Sequence, residues 1–318
     1  MSALLEVEHL SKTYRKATRP ALDEVSFTVP AGAIYAFVGP NGAGKTTTIR
    51  ILATLLQPDR GDVRLNGMSL HTHRRDFRAL IGYIPDEFGL YDELTVRGYL
   101  NFFASCYGIP TQRHAALVSD LLDLVGLSER ADSAVQTLSR GMKQRLGLAR
   151  ALIHDPQLIL ADEPASGLDP RARVELRDIL RILREMGKTI FISSHVLREL
   201  DDIATDVGII EKGRFIISAP LEAVRAELQA HRAVLVHLTS AWDDAQAWLQ
   251  HHPLCAQVER LETNGTPTLR VRLTTSAAEG SVTLLADLVR AGFPVRQYVE
   301  EKQDLESLFL SLTQGGVS

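Results

Sequence analysis

The stretch GPNGAGKTT, running from Gly39 to Thr47, is built to hold phosphate. It fits G-x-x-x-x-G-K-[ST] with Gly39, Gly44, Lys45 and Thr46 at the fixed positions. Glycines let backbone N–H groups curl around a polyphosphate, and a helix opening at the loop adds favourable partial charge. Lys45 can reach the β- and γ-phosphates and Thr46 can give its hydroxyl to Mg²⁺. A second stretch, LILADEPASGLDP, ends an apolar run in Asp162 and Glu163. Asp162 suits Mg²⁺, directly or through water, and Glu163 suits a general base for an attacking water. The alternative for this acidic pair is a helix N-terminal cap before Pro164. A third, ISSHVL, puts His195 at the end of another apolar run, as a structural histidine or as a sensor of the terminal phosphate. A fourth, LSRGMKQRLGLARAL, presents Ser139, Arg140 and Gly141 ahead of a helical pattern. Ser139 is a good N-cap, and Met142, Leu146, Ala149 and Ile153 supply a core face. This is a second helix end prepared for an anion, in a chain that already has a phosphate cradle.

Elements of suitable type flank these stretches. LLEVEHL alternates apolar and acidic residues, as a half-exposed strand does, and VSFTV is a second strand. AIYAFV, LILA and TIFIS are continuous apolar runs of the kind buried parallel strands require. Helices are expected from Lys45 through Leu56 and from Pro170 to Met186, and a hairpin at Lys212-Gly213. Strands alternating with helices indicate a layered α/β core. From about Asp86 to Ser139 strand-like runs are missing, and VRGYLNFFASCYG and RHAALVSDLLDLVGL read as helices inserted in that core. After Pro220 the order becomes βαββαβ, that of a ferredoxin-like α+β unit, with a turn at Asn264-Gly265 and LEAVRAELQAH as the connecting helix. The expected division is 1–218 for the α/β domain, with its helical part about 86–140, then a linker at 219–231 and an accessory domain at 232–318.

Bulk composition narrows the class of partner. Of the 318 residues, 39 are acidic and 35 basic, a net charge of −4 that gives no global field for nucleic acid. The run HTHRRDFR is locally basic, either a solvated face or a polyanion contact. The two cysteines, Cys106 and Cys255, lack the spacing of a disulfide framework or a zinc site. His71/His73 and His251/His252 lack further ligands nearby and are expected at the surface. The start MSALLEVEHLSKTY has no leader-like pattern, and no run reaches the ~18–20 apolar residues of a membrane span. Service to a membrane would therefore go through a partner.

Taken together, the phosphate loop, LSRGMKQR, LILADEP, SGLD (Ser166 to Asp169) and His195 stand in the order and approximate spacing of ABC-type ATPases, and the chain resembles that family over about residues 3–218. The resemblance implies a P-loop NTPase core with a helical insertion, ATP and Mg²⁺ as ligands, and ATP hydrolysis coupled to work elsewhere. It implies nucleotide contacts along Gly39, Pro40, Asn41, Gly42, Ala43, Gly44, Lys45, Thr46 and Thr47, adenine stacking by Tyr14, and catalysis by Glu163, His195 and Lys45. It further implies that two nucleotide-binding domains pack head to tail, so that Ser139, Gly141 and Asp169 of one close over the ATP of the other. Where the family usually has Gln, after an IGYxP-like strand, this chain has Asp86, taken with Thr46 and Asp162 as a Mg²⁺ ligand.

YDELTVRGYLNFFASCYGI and the tail ending DLESLFLSLT resemble those of exporter ATPases whose membrane subunits are separate chains. The expectation is a peripheral ATPase on the cytoplasmic face of the membrane, serving an integral permease. The alternatives are an importer ATPase and a soluble relative acting on ribosomes or DNA. The second is opposed by the single phosphate loop and by the absence of inserted coiled coils or zinc modules.

Overall fold

The computed structural model describes residues 3–15, 17–86, 89, 91, 93–196, 200–230, 233–263, 266–274 and 278–301. The chain divides into two compact units, Met1–Leu221 and Glu222–Ser318.

In the first unit, β1 (Ala3–Lys12), β2 (Leu22–Pro30), β4 (Arg60–Leu65) and β5 (Met68–Ser69) form an antiparallel sheet in the order β2-β1-β4-β5. A second sheet takes β3 (Ile34–Val38), β6 (Ile81–Ile84), β7 (Leu158–Ala161), β8 (Thr189–Ser194), β9 (Asp206–Glu211) and β10 (Arg214–Pro220) in the order β10-β9-β3-β8-β7-β6. Its five strands other than β10 pair in parallel. Every residue of β3, β7 and β8 is buried, which is why these segments read as unbroken apolar runs. The two sheets share an aromatic core. Phe27 of β2 stacks on Tyr35 of β3 and Phe191 of β8, with ring centroids 5.7 Å apart in each pair.

Helices α1 (Lys45–Leu52), α2 (Arg74–Ala79), α5 (Arg140–Leu152) and α6 (Pro170–Glu185) belong to the same unit. Helix α1 is shorter than its pattern suggested. Thr54 turns left-handed at φ 63°, and the N–H groups of Leu55 and Leu56 fold back onto the Arg50 carbonyl, closing the helix before Leu56. Helix α6 starts where Asp169 caps it, its carboxylate accepting from Ala172 N at 2.9 Å, with Pro170 in the first turn. The insertion carries α3 (Val96–Cys106), capped by Thr95, and α4 (Thr111–Leu124), joined to α5 by two short 3₁₀ turns. The hairpin at Lys212 and Gly213 has both residues at positive φ, 49° and 79°, as a two-residue turn of this kind demands.

The second unit begins with α7 (Leu221–Ala230), whose first residue closes the first unit. It continues β11 (Ala233–Leu238), α8 (Trp242–Gln250), β12 (Cys255–Thr263), β13 (Thr266–Leu273), α9 (Ala278–Arg290) and β14 (Val295–Glu301). The strands pair antiparallel in the order β12-β13-β11-β14, the sheet order of a ferredoxin-like βαββαβ unit. Val234, Val236, Leu269 and Val271 pack under Ala245, Leu249, Leu284 and Leu288 of the two helices. Asn264-Gly265 and the tail DLESLFLSLT lie outside the described residues. His252 corrects an expectation. It is not at the surface: its side chain is 10% exposed, tucked against Trp248 with Nε2 3.4 Å from the Asp287 carboxylate.

Among the described residues no helix is long and apolar enough to cross a membrane.

Candidate nucleotide site

The phosphate loop leaves the buried end of β3 and enters α1 through glycines that have steric reasons to be glycine. A Cβ on Gly39 would stand 2.3 Å from the Ile210 carbonyl oxygen of β9. Gly44 has φ 113°, and a Cβ there would meet the Ala21 carbonyl at 2.6 Å. Gly44 is also the N-cap of α1 and offers no side-chain acceptor. The N–H groups of the helix's first turn are thus left for an outside anion. Asn41 and Gly42 are exposed on the loop, while Ala43 is buried beneath it.

Lys45, only 5% exposed, folds back over the loop. Its Nζ donates to the Gly39 carbonyl at 2.7 Å and the Pro40 carbonyl at 3.3 Å, and lies 3.2 Å from Glu163 Oε1. All three ammonium hydrogens have partners within reach. The other Glu163 oxygen, Oε2, is 2.8 Å from His195 Nδ1 and accepts from the His195 backbone N–H at 3.4 Å. An ionised carboxylate only accepts, so Nδ1 carries the hydrogen in this pair. Glu163 sits at φ 47°, a left-handed conformation costing on the order of 1–3 kcal/mol in a residue with a side chain.

Asp162 is 2% exposed, beside the first turn of α1. Its Oδ1 accepts from Thr46 Oγ1 at 3.3 Å and from Ser193 Oγ at 2.8 Å. Burial pushes the Asp162 carboxyl above its ordinary value, the Ser193 and Thr46 hydroxyls pull it back, and the Glu163 and Asp86 charges push it up again. These are hard oxygen donors of the type Mg²⁺ takes.

One open cleft of about 540 Å³ collects Tyr14, Asn41, Gly42, Gly44, Lys45, Thr46, Thr47, Asp86, Glu163 and His195, with Ala21 and Ser166. Tyr14, at 41% exposure, has its hydroxyl 3.2 Å from Thr47 Oγ1, leaving the ring at the mouth. The volume fits a mononucleotide-sized ligand.

Seven of the residues named from the sequence are not among those lining this cleft: Gly39, Pro40 and Ala43 of the loop itself, Asp162 behind it, and Ser139, Gly141 and Asp169. Ser139 caps α5, its hydroxyl accepting from Met142 N at 3.3 Å. Asp169 caps α6. Gly141 has a packing role beside any ligand role, because a Cβ there would come 2.8 Å from the Ala172 Cβ. The core face of α5 also differs from the pattern read from sequence. Met142 is half-buried, and Gly147, Leu148 and Leu152 are buried with Leu146 and Ala149, since this helix is covered on more than one side.

Sequence reasoning missed Ser193 as a member of the site and did not single out Ser166. ISSH contains two adjacent serines, and only the pairing of β7 with β8 distinguishes the one that meets Asp162.

Residues 22–166 match the family model of the ABC transporter. The bacitracin transport ATP-binding protein BcrA of Bacillus licheniformis is 33% identical over 317 residues, covering 99% of each chain. A Nod factor export ATP-binding protein I from Paraburkholderia xenovorans is 39% identical over 227 residues, 71% of this chain and 74% of that one. A solved structure of the ATP-binding subunit of an ABC transporter superposes with a TM-score of 0.63 at 33% identity, over 70% of this chain and 92% of that one. With a relative collinear from end to end, a matching fold and a phosphate-loop cleft furnished with carboxylates and a histidine, the chain belongs to the ABC transporter ATP-binding proteins and is an ATPase of that family.

Proposed function

We propose that this protein is the ATP-hydrolysing subunit of an ABC exporter, acting through a separate integral membrane permease and paired with a second nucleotide-binding domain. The observation that carries the catalytic part is the contact chain Lys45–Glu163–His195 across one cleft. The exporter part rests on likeness to the bacitracin transport protein along 99% of the chain, and to a Nod factor export protein over 227 residues.

In this reading ATP lies along the loop with its adenine on the Tyr14 ring and its phosphates against the N–H groups of Gly42 to Thr47. Lys45 exchanges Glu163 for the β- and γ-phosphate oxygens. Glu163, released on that side and still held by His195 Nδ1–H, accepts the proton of the attacking water. In its doubly protonated form the His195 ring also presents an Nε2–H, on its far side, as a donor to the terminal phosphate oxygens. Thr46 and Asp162 would hold Mg²⁺, with Asp86 on the same cleft; when bound, the cation would neutralise negative charge on the phosphates. The N-terminal end of α5 in a second domain, with its Ser139 and Gly141, closes over the outer phosphate, and Asp169 braces the contact. Closure and reopening of that pair pass through the helices of the insertion to the permease. Peripheral placement on the cytoplasmic face follows from that docking.

The test is a pull-down from the native cell with a tagged Glu163→Gln form trapped by ATP and solubilised gently. A polytopic membrane protein in stoichiometric amount is the expected companion. Ribosomal proteins or DNA, with no membrane protein, would refute the exporter reading.

A further inference from the structure

Ser193 is completely buried at the end of β8. In the parallel pairing of β7 and β8, Ala161 stands opposite Ile192, so Asp162, just past the end of β7, comes next to Ser193, still within β8. The Ser193 hydroxyl donates to Asp162 Oδ1 at 2.8 Å and accepts from the Glu163 backbone N–H at 3.0 Å. A hydroxyl has one hydrogen, so giving it to Asp162 while receiving Glu163 N–H fixes its rotation completely. Thr46 lands on the same Asp162 oxygen, which leaves Oδ2 for other partners. Glu163 is the residue held left-handed at φ 47°, and the Ser193 bond is made to its own peptide N–H. The neighbouring Ser194 does a different job. Its hydroxyl bonds Val196 N and O at 3.0 Å each and shapes the turn that carries His195.

We infer that Ser193 is a positioning residue for ATP hydrolysis, one hydroxyl that sets both the cation-binding carboxylate Asp162 and the peptide of the general base Glu163. The inference rests on the roles proposed above for those two acids. Ser193 lies behind both and is fully buried, so its effect reaches the reaction only through them. Removing the hydroxyl leaves Asp162 Oδ1 with Thr46 alone and leaves the Glu163 N–H without its acceptor. Partners that orient a metal-binding group typically change metal affinity or turnover by about 10–100-fold when removed.

The experiment uses the full-length chain and three variants, Ser193→Ala, Ser193→Thr and Glu163→Gln. It reads kcat, the affinity for ATP, and Mn²⁺ binding by electron paramagnetic resonance in the presence of a non-hydrolysable ATP analogue. For Ser193→Ala we expect kcat to fall about 10–100-fold and Mn²⁺ to bind more weakly, with ATP affinity little changed. Ser193→Thr keeps a hydroxyl on a β-branched side chain suited to a strand and should recover most of both losses. Wild-type kcat and Mn²⁺ binding in Ser193→Ala would overturn the inference. So would a Thr variant no better than Ala, or a parallel loss of kcat and ATP affinity, which is what general loosening of the site produces. If Ser193→Ala does not fold, Ser193→Cys, with a thiol that donates only weakly, takes its place in the same measurements. Glu163→Gln separates the two readings. Retained turnover there means that Glu163 is not the base, whereas a dead Glu163→Gln beside an unaffected Ser193→Ala means that the positioning inference alone has failed.

Discussion

Lys45 and Glu163 form an ion pair across the cleft, Nζ to Oε1 at 3.2 Å, with side chains only 6% and 15% exposed. The residue that should grip phosphate and the residue that should activate water therefore hold each other. A polyphosphate entering the loop competes with Glu163 for the same ammonium group, so binding of the substrate and release of the base are one event. Lys45→Ala is expected to weaken ATP binding by roughly 10–100-fold, as loss of a charge-assisted contact worth about 1.5–3 kcal/mol would. It should also lower thermal stability, because Glu163 loses one of its two partners. Equilibrium titration with a fluorescent ATP analogue checks the first point; unchanged affinity would remove Lys45 from phosphate binding.

Asp162 carries a cost that its function explains. Burial raises its pKa, so the protonated form is more favoured in the folded protein than in the unfolded chain. A group with a raised folded pKa supports stability below its unfolded value and loses that support as pH rises through the folded value. At neutral pH the ionised carboxylate therefore works against folding. Asp162→Asn keeps an acceptor for Ser193 and Thr46 without the charge. It should melt higher than wild type at neutral pH when nucleotide and divalent cation are left out, with the difference narrowing as pH falls towards the carboxylate range. The same variant should lose most cation-dependent turnover. Melting curves across pH, paired with phosphate release, test both halves.

Gly39 allows the loop to pass directly over β9, where a Cβ would stand 2.3 Å from the Ile210 carbonyl. Neither the loop nor a central strand yields cheaply. Gly39→Ala is expected to cost about 1–3 kcal/mol and lower the melting temperature by roughly 2–10 °C, with ATP affinity falling as well. A melting temperature equal to wild type would mean that the close approach is not a constraint.

Ser139 is outside the cleft of its own chain and caps α5. Ser139→Arg puts a long cation where a neighbouring domain's phosphate would dock. It should cost about 1 kcal/mol of stability through the lost cap, leave ATP binding to the single domain intact, and abolish turnover. Turnover at the wild-type rate would separate this helix end from the reaction.

Much of this site was legible in the sequence because its chemistry is carried by contiguous stretches. The spacing of Gly39, Gly44, Lys45 and Thr46 is set by a loop feeding one helix, and Asp162-Glu163 and His195 are placed by the buried strands they follow. The βαββαβ order of the second unit was readable for a similar reason, since strand and helix periods alternate plainly along it. What depends on pairing between distant segments was not legible. Nothing local separates Ser193 from Ser194; the register of β7 against β8 does so. The packing of Gly141 on Ala172 and the burial of His252 against Trp248 and Asp287 likewise come from contacts between elements. The early end of α1 turns on the left-handed Thr54, a residue type that seldom adopts that conformation.

The most direct test of ATP hydrolysis in this cleft compares phosphate release by wild type and Glu163→Gln, with ATP binding measured on the same samples. Wild type is expected to turn over, and Glu163→Gln to bind ATP normally while hydrolysing it at least about 100-fold more slowly, the lower range for loss of a general base. A Glu163→Gln form that turns over at the wild-type rate would contradict the assignment of Glu163 as the base and, with it, the mechanism built on the Lys45–Glu163–His195 chain.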